Sequence, residues 1–190
     1  DPGTYDVRMH DALNIVCERV LNNALVLTGP AILNATVTSA NVDCYDASNG
    51  SVVISNPSGG FGTYGYSIDG GSSWQATGNY PNLPPGIYDV RIHDASNISC
   101  EIVLNGALQI TQPPLLTASV TSTYVTCFNA NDGSITISGP AGGSGSYQYS
   151  INGGATWQAA GTFTNLAPGT YDVTIGDAVN TTCFIILDAG

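Results

Sequence analysis

Both histidines of this chain precede an aspartate, as His10-Asp11 and His93-Asp94, and a His-Asp neighbour pair is suited to moving protons. No Ser or Cys nucleophile motif accompanies either pair, and the third copy of the same segment carries Gly176 in place of the histidine. These histidines therefore read as solvent-facing residues beside a turn. Asp43, Asp46, Asp94, Asp132 and Asp177 offer hard oxygen ligands of the kind Ca²⁺ takes, yet they lack the dense D-x-D-x-D spacing of a dedicated loop, and Asn129 stands where Asp46 does one copy earlier. Turn capping is the reading preferred, with weak Ca²⁺ binding at domain junctions as its alternative; no other cofactor is expected. The five cysteines, Cys17, Cys44, Cys100, Cys127 and Cys183, include no C-x-x-C pair and no Cys/His spacing for zinc. No catalytic or metal-ligating residue is nominated.

The most specific motif is Ser67–Trp74, SIDGGSSW, with its partner Ser150–Trp157, SINGGATW. The first matches the pattern S-x-D-x-G-x-T/S-W, the Asp-box best known from sialidase propellers, where it is a structural hairpin. The physical roles are local. Asp69 or Asn152 bonds backbone amides, Gly71 or Gly154 takes a positive φ, and Trp74 or Trp157 caps the turn, with Ser67 or Ser150 opening it. A sialidase also needs an arginine cluster and a Tyr/Glu nucleophile pair, and this chain has only Arg8, Arg19 and Arg91. The motif is read as a hairpin, and the chain as no enzyme.

Composition limits the partners. With three Lys+Arg against 14 Asp+Glu, the net charge is −11, so there is no cationic surface for DNA or RNA. No apolar run approaches the roughly 18 residues of a membrane span, and the first 30 residues do not resemble a signal peptide, so the chain reads as mature soluble polypeptide. Charged residues are 9% of the chain, against about 25% in ordinary domains, and Val, Ile, Thr, Ser, Gly and Asn dominate, which favours strands over helices. With no Lys and three Arg, the folded chain is expected to resist trypsin.

The elements that position these motifs repeat. PGTYDVRMHDA at Pro2–Ala12 recurs as PGIYDVRIHDA at Pro85–Ala95 and PGTYDVTIGDA at Pro168–Ala178, a period of 83 residues that the cysteines and tryptophans also keep. Asp1–Pro30 and Pro84–Pro113 share 20 identities in 30 positions. Within one period, strands are expected at Ala35–Val42, Ser51–Ser55, Tyr64–Ile68, Ser73–Ala76, Gly86–His93 and Cys100–Ile110, with Tyr80–Pro85 as a loop or edge segment. Tyr88, Val90 and Ile92 point inward in this reading, and Asp89, Arg91 and His93 outward. About seven short strands with frequent turns predict all-β, tandem immunoglobulin-like β-sandwich domains. The division is residues 1–30 as the last two strands of a truncated repeat, 31–113 as a complete one, and 114–190 as a second whose last strand is cut. Gln112-Pro113-Pro114 is the stiff linker. On this arithmetic the natural object is longer than the chain, or Asp1–Pro30 completes a sandwich on a neighbour.

Repeat-locked cysteines suit an oxidising, extracellular compartment, and two pairings fit the spacing. One joins Cys44–Cys100 and Cys127–Cys183 within repeats, leaving Cys17 for an upstream partner. The other joins Cys44 to Cys183 across a junction and leaves the remaining thiols to neighbouring repeats. The second is slightly favoured, because the loop before the second strand and the last hairpin turn lie at opposite ends of such a sandwich. A bridge adds roughly 2–4 kcal/mol to a small domain.

The residues Cys44, Asn49-Gly50-Ser51, Gly59-Gly60, Tyr64–Ile68, Leu83–Val90, Asp94-Ala95 and Cys100, and their counterparts Cys127, Asp132-Gly133-Ser134, Gly142-Gly143, Tyr147–Ile151, Leu166–Val173, Asp177-Ala178 and Cys183, resemble the SprB-type repeat of Bacteroidetes gliding-motility and cell-surface adhesins. The resemblance implies an extracellular array exported by type IX secretion and displayed on the cell surface. The function it suggests is a structural or adhesive stalk, its partners being neighbouring repeats or identical chains, with surface glycans or other cells beyond them. The alternative is a short subunit that polymerises into a filament by strand addition. A carbohydrate-binding module using Tyr45, Tyr64, Tyr66 and Tyr80 is a less favoured third. The sequons at Asn34, Asn97 and Asn180 permit glycosylation.

Overall fold

β-branched residues alternating with polar ones build almost every element of this chain. A computed structural model describes residues 1–188 and shows fourteen strands with no helix. The first two, β1 (Gly3–His10) and β2 (Glu18–Leu27), form a separate two-stranded antiparallel sheet. The first full repeat holds β3 (Asn34–Ala40), β4 (Gly50–Ser58), β5 (Tyr64–Ser67), β6 (Asn79–Leu83), β7 (Gly86–Asp94) and β8 (Asn97–Ile110). The second holds β9 (Thr117–Thr123), β10 (Gly133–Ala141), β11 (Tyr147–Ser150), β12 (Thr162–Leu166), β13 (Val173–Asp177) and β14 (Phe184–Asp188).

Each repeat is a pair of three-stranded sheets, ordered β3-β4-β6 and β5-β7-β8 in the first, and β9-β10-β12 and β11-β13-β14 in the second. The strands of all four sheets pair antiparallel. By strand order alone, this corresponds to A-B-E facing C-F-G of a constant immunoglobulin sandwich with no D strand. One local expectation is corrected here. Ser73–Ala76 is not a strand but a hairpin return, joined to β5 by a single bridge between Tyr66 and Gln75. Of the two readings of Tyr80–Pro85, loop or edge segment, the edge segment is the one present: Asn79–Leu83 is β6, which pairs with β4 at the edge of its sheet. Pro81 and the positive φ of Asn82 (58°) interrupt its alternation. Each repeat thus has six strands, not seven.

The core obeys the same period as the sequence. Leu33, Val52, Ile54, Tyr66, Val90, Ile92 and Ile110 close the first sandwich, and Leu116, Ile135, Ile137, Tyr149, Val173 and Ile175 the second. They come from both sheets, so the two faces pack against each other. Val52, Val90 and Ile92 are fully buried, each contributing on the order of 2 kcal/mol by leaving water. Tyr88 is only half-buried, because its hydroxyl turns back to donate to the Pro84 carbonyl at 2.7 Å. Tyr171 does the same to Ala167 at 2.9 Å, and Tyr5 to Asp1. This corner explains the repeated P-G-x-Y spelling.

Among the described residues no second sheet is formed with the β1–β2 hairpin. Met9, which stands where Ile92 does one period later, is 56% exposed, and Val20, Leu25 and Val26 are exposed as well.

Candidate functional site

Three features organise the repeats: a hairpin, a buried carboxylate and the joint where one sandwich follows the next. The first is the Ser67–Trp74 hairpin. Ser67 is fully buried, and its hydroxyl donates to Asp69 Oδ1 at 2.7 Å while accepting from the Gly71 N–H at 2.9 Å. Asp69 accepts from the Ser73 hydroxyl at 2.5 Å and the Ser73 N–H at 2.9 Å. Those two donors, with the Ser67 hydroxyl, hold its carboxyl at about 2, below the ordinary 3.8. Asn152 reproduces the turn with one bond reversed, its Nδ2 donating to Thr156 Oγ1 at 2.8 Å while its Oδ1 accepts from Ser150 at 2.8 Å. Gly71 (φ 87°) and Gly154 (φ 89°) lie beneath the tryptophan rings, where a Cβ would come within 3.3 and 3.0 Å of them. The turns dock on the neighbouring strand of the same sheet, through the Gly70 N–H to the Asp89 carbonyl of β7 and the Gly153 N–H to that of Asp172, just before β13.

The tryptophans sit differently in the two repeats. Trp74 stacks on His93 at 4.0 Å and 8°, so His93 is half-buried under an indole rather than solvent-facing, which corrects the expectation for that residue. His10 is exposed, as expected of a turn residue. Trp157 instead lies over Gly176 and meets Phe184 edge-on at 6.2 Å. The cross-strand partners adjust: His93 pairs with Gly65, and Gly176 with Gln148, so each pair has one large member. A Cβ on Gly65 would fall 2.1 Å from His93 Nε2.

Second come the buried carboxylates. Asp94 accepts from the Phe61 N–H and, at 2.8 Å, from the Ser96 N–H; the Phe61 bond leads in lowering its pKa. Burial of Asp177 works to raise its pKa, but four donors overcome it. They are the Ser144 hydroxyl (2.6 Å) and N–H (2.5 Å), the Val179 N–H (2.8 Å) and the Asn180 N–H (3.1 Å), and together they hold it at about 2. Each carboxylate ties the loop of the paired glycines, Gly59-Gly60 or Gly142-Gly143, to the last hairpin turn. Asp132 serves a loop too, accepting from the Thr126 hydroxyl and N–H, while Asn49 holds Asp43. Among the described residues no three His, Cys, Asp or Glu side chains gather as a metal-ligand group.

The third is the joint. Cys44 and Cys183 form a disulfide across it, so the within-repeat pairing Cys44–Cys100 and Cys127–Cys183 is not the one present. Cys17, Cys100 and Cys127 are free thiols, the first and last exposed. Around the bond, Asn180 Nδ2 donates to the Asp43 carbonyl at 3.3 Å, and the Asp46 N–H to Gln112 Oε1 at 2.8 Å. The linker is held on both sides: the Val42 N–H bonds the Thr111 carbonyl (3.1 Å) and the Gly143 N–H the Pro114 carbonyl (2.9 Å). Gly142, at φ 85°, presses so closely on the linker that a Cβ would sit 1.9 Å from the Leu115 carbonyl oxygen. A cavity of about 60 Å³ remains at the joint, lined by Tyr45, Pro113, Leu116 and Phe184 among others.

Of the tyrosines considered for sugar stacking, Tyr66 is buried, Tyr64 and Tyr80 pack half-buried on the core, and Tyr45 stands at the joint.

No curated protein and no solved structure matches the chain. The family model described as SprB repeat matches residues 36–73 and 119–156, each match running from the first strand of a repeat to the Ser-x-Asp/Asn-x-Gly hairpin. The two matches start 83 residues apart and each includes the cysteine of the loop before the second strand, so these two segments are similar to the SprB repeat, and the cysteine of the first is the one bonded across the joint.

Proposed function

We propose that this chain is a section of an extracellular, non-catalytic stalk or fibre on a bacterial cell surface, structural or adhesive in role. SprB repeats are associated with cell-surface, adhesin-like proteins. The observation that carries the reading is the Cys44–Cys183 bond, which joins successive repeats and belongs to an oxidising compartment. A fixed joint turns a string of sandwiches into a stiff spacer, and the acidic, lysine-free surface suits solvent on all sides. Export by type IX secretion and service in gliding motility are the finer parts of the proposal, resting on the family resemblance. Antibodies raised against the folded chain should label intact cells of the bacterium that makes it; labelling only after permeabilisation would refute the reading.

A second reading, a short subunit polymerising by strand addition, is favoured by one observation: the exposed apolar side chains of the β1–β2 hairpin. The reduced, denatured mass of the native protein separates the two. Several times the 19.5 kDa of this chain means a covalent array, and a mass near it means polymerised subunits.

A further inference from the structure

The joint holds a polar cleft whose hydrogen-bonding groups are only half engaged by the protein. It measures about 320 Å³, and Asn41, Asp43, Gln112, Ser144 and Asn180 line it, drawn from both repeats and the linker. That size falls within the roughly 300–1,000 Å³ of small-molecule sites. Its three amides have a fixed orientation, because each is held by a backbone group that can only donate or only accept. The Thr111 N–H donates to Asn41 Oδ1 at 2.9 Å and the Asp46 N–H to Gln112 Oε1 at 2.8 Å, so both amide nitrogens are left as donors. The Asp43 carbonyl accepts from Asn180 Nδ2 at 3.3 Å, which leaves Asn180 Oδ1 as an acceptor. Asp43 Oδ2 accepts from Asn49 Nδ2 at 3.0 Å, and Oδ1 of the same carboxylate remains. The 83-residue period separates what the fold needs here from what is particular to this joint. Val42, Thr111, Pro113 and Asn180 recur as Val125, Thr28, Pro30 and Asn97, whereas Asn41, Asp43, Gln112 and Ser144 correspond to Tyr124, Thr126, Gly29 and Phe61. The frame of the cleft is repeated and most of its polar lining is not, so the lining answers to something other than the fold.

We propose that this cleft binds a neutral oligosaccharide, whose hydroxyls accept from the Asn41 and Gln112 amides and donate to Asp43 and Asn180. The inference rests on the adhesive form of the proposed function and gives it a ligand class and a place. Neighbouring sugar hydroxyls both donate and accept, which is what two NH₂ groups beside two acceptor oxygens match. Charge selects against acidic sugars: Asp43 lines the cleft, no Arg does, and the chain carries a net −11. Peptide recognition draws on a free sheet edge or an apolar groove, and this lining is mainly amide, hydroxyl and carboxylate. Tyr45, half exposed, lines the adjoining small cavity, which shares Asp43 and Pro113 with the cleft, and so stands a ring beside the bound sugar.

The test titrates the whole, disulfide-bonded, isotope-labelled chain at millimolar concentrations of cellobiose, maltose, lactose and chitobiose, with digalacturonic acid and tetraglycine as the acidic and peptide probes. It follows the side-chain NH₂ resonances of Asn41 and Gln112 by NMR. At least one neutral disaccharide should shift both resonances saturably, and the acidic and peptide probes should not. Asn41→Asp and Gln112→Glu keep the oxygens that receive the Thr111 and Asp46 N–H groups and remove only the NH₂ donors, so the joint stays bonded. Each should weaken binding by roughly tenfold, the loss expected of one hydrogen bond. Retention of the Cys44–Cys183 link and of the backbone spectrum shows that the variants fold. Neutral probes that leave both resonances still, acidic or peptide probes that move them equally, or variants that bind like wild type would each overturn the site. Any of these results leaves the stalk reading standing, because that reading fails on the labelling of intact cells instead.

Discussion

Asp177 should make the second repeat acid-sensitive by a calculable amount. Its carboxylate is almost fully buried and gathers four donors from two loops, and its pKa falls from 3.8 to about 2 on folding. A depressed folded pKa means that the contribution is fully present above the unfolded value and is lost as pH falls through the folded one. A shift of this size corresponds to about 2 kcal/mol at neutral pH, most of it gone by about pH 2. In Asp177→Asn the amide nitrogen must face the Ser144 N–H or hydroxyl, leaving a buried donor unmatched at about 1–3 kcal/mol. Each repeat has one tryptophan, so Trp157 fluorescence in a Trp74→Phe background reports on the second repeat alone. Urea unfolding should then show wild type ahead of the Asn variant at neutral pH and the two converging as pH approaches the folded pKa. Parallel pH profiles for the two proteins would show that the carboxylate charge does not clamp the loops, and the argument would fail.

Tyr80→Phe should leave stability unchanged or raise it by up to about 1 kcal/mol in thermal unfolding, since its buried hydroxyl has no hydrogen-bond partner and Phe163 fills the same place one period on. Burial pushes that hydroxyl's pKa up to about 12, so the variant should also remove the most alkaline tyrosinate transition in an ultraviolet titration. Gly65→Gln should cost about 1–3 kcal/mol by colliding with His93, and adding His93→Gly should recover much of it, giving a double-mutant coupling above about 1 kcal/mol; independent effects would refute the proposed exchange of bulk across the strand pair. Cys44→Ser, or reduction, should lower the denaturant midpoints of both tryptophan signals together, by up to about 5 kcal/mol for a closed segment of 139 residues; a shift confined to one repeat would argue against a shared constraint.

The legible parts of this molecule were those that depend on period. Alternation placed β4 and β7 because one face of each is core, and the 83-residue recurrence placed Val52 opposite Ile135 and Ile92 opposite Ile175 in the two cores. β6 was legible only as a loop or an edge segment, because Pro81 and the left-handed Asn82 break its alternation and its pairing with β4 is what makes it an edge strand. The Trp74–His93 stack was hidden for a different reason: it depends on a glycine on the neighbouring strand, which no local window contains. The substitution of Gly65 and His93 by Gln148 and Gly176 was the one available signal, visible only when the repeats are laid over each other.

The disulfide also decides which parts of the chain tension can reach. A pull on the two ends runs through the chain to Cys44, crosses the sulfur bridge, and leaves again from Cys183, so the intervening segment is slack whatever happens to its folds. β4 through β13 lie inside that shielded loop, and only β1, β2, β3 and β14 lie in series with the load. At about 3.5 Å per extended residue, the loop withholds on the order of 490 Å of contour length, which a pulled fibre can release only after reduction. The sulfur bridge therefore sets how far this section can stretch, and the sandwiches inside it serve as shape, not as springs.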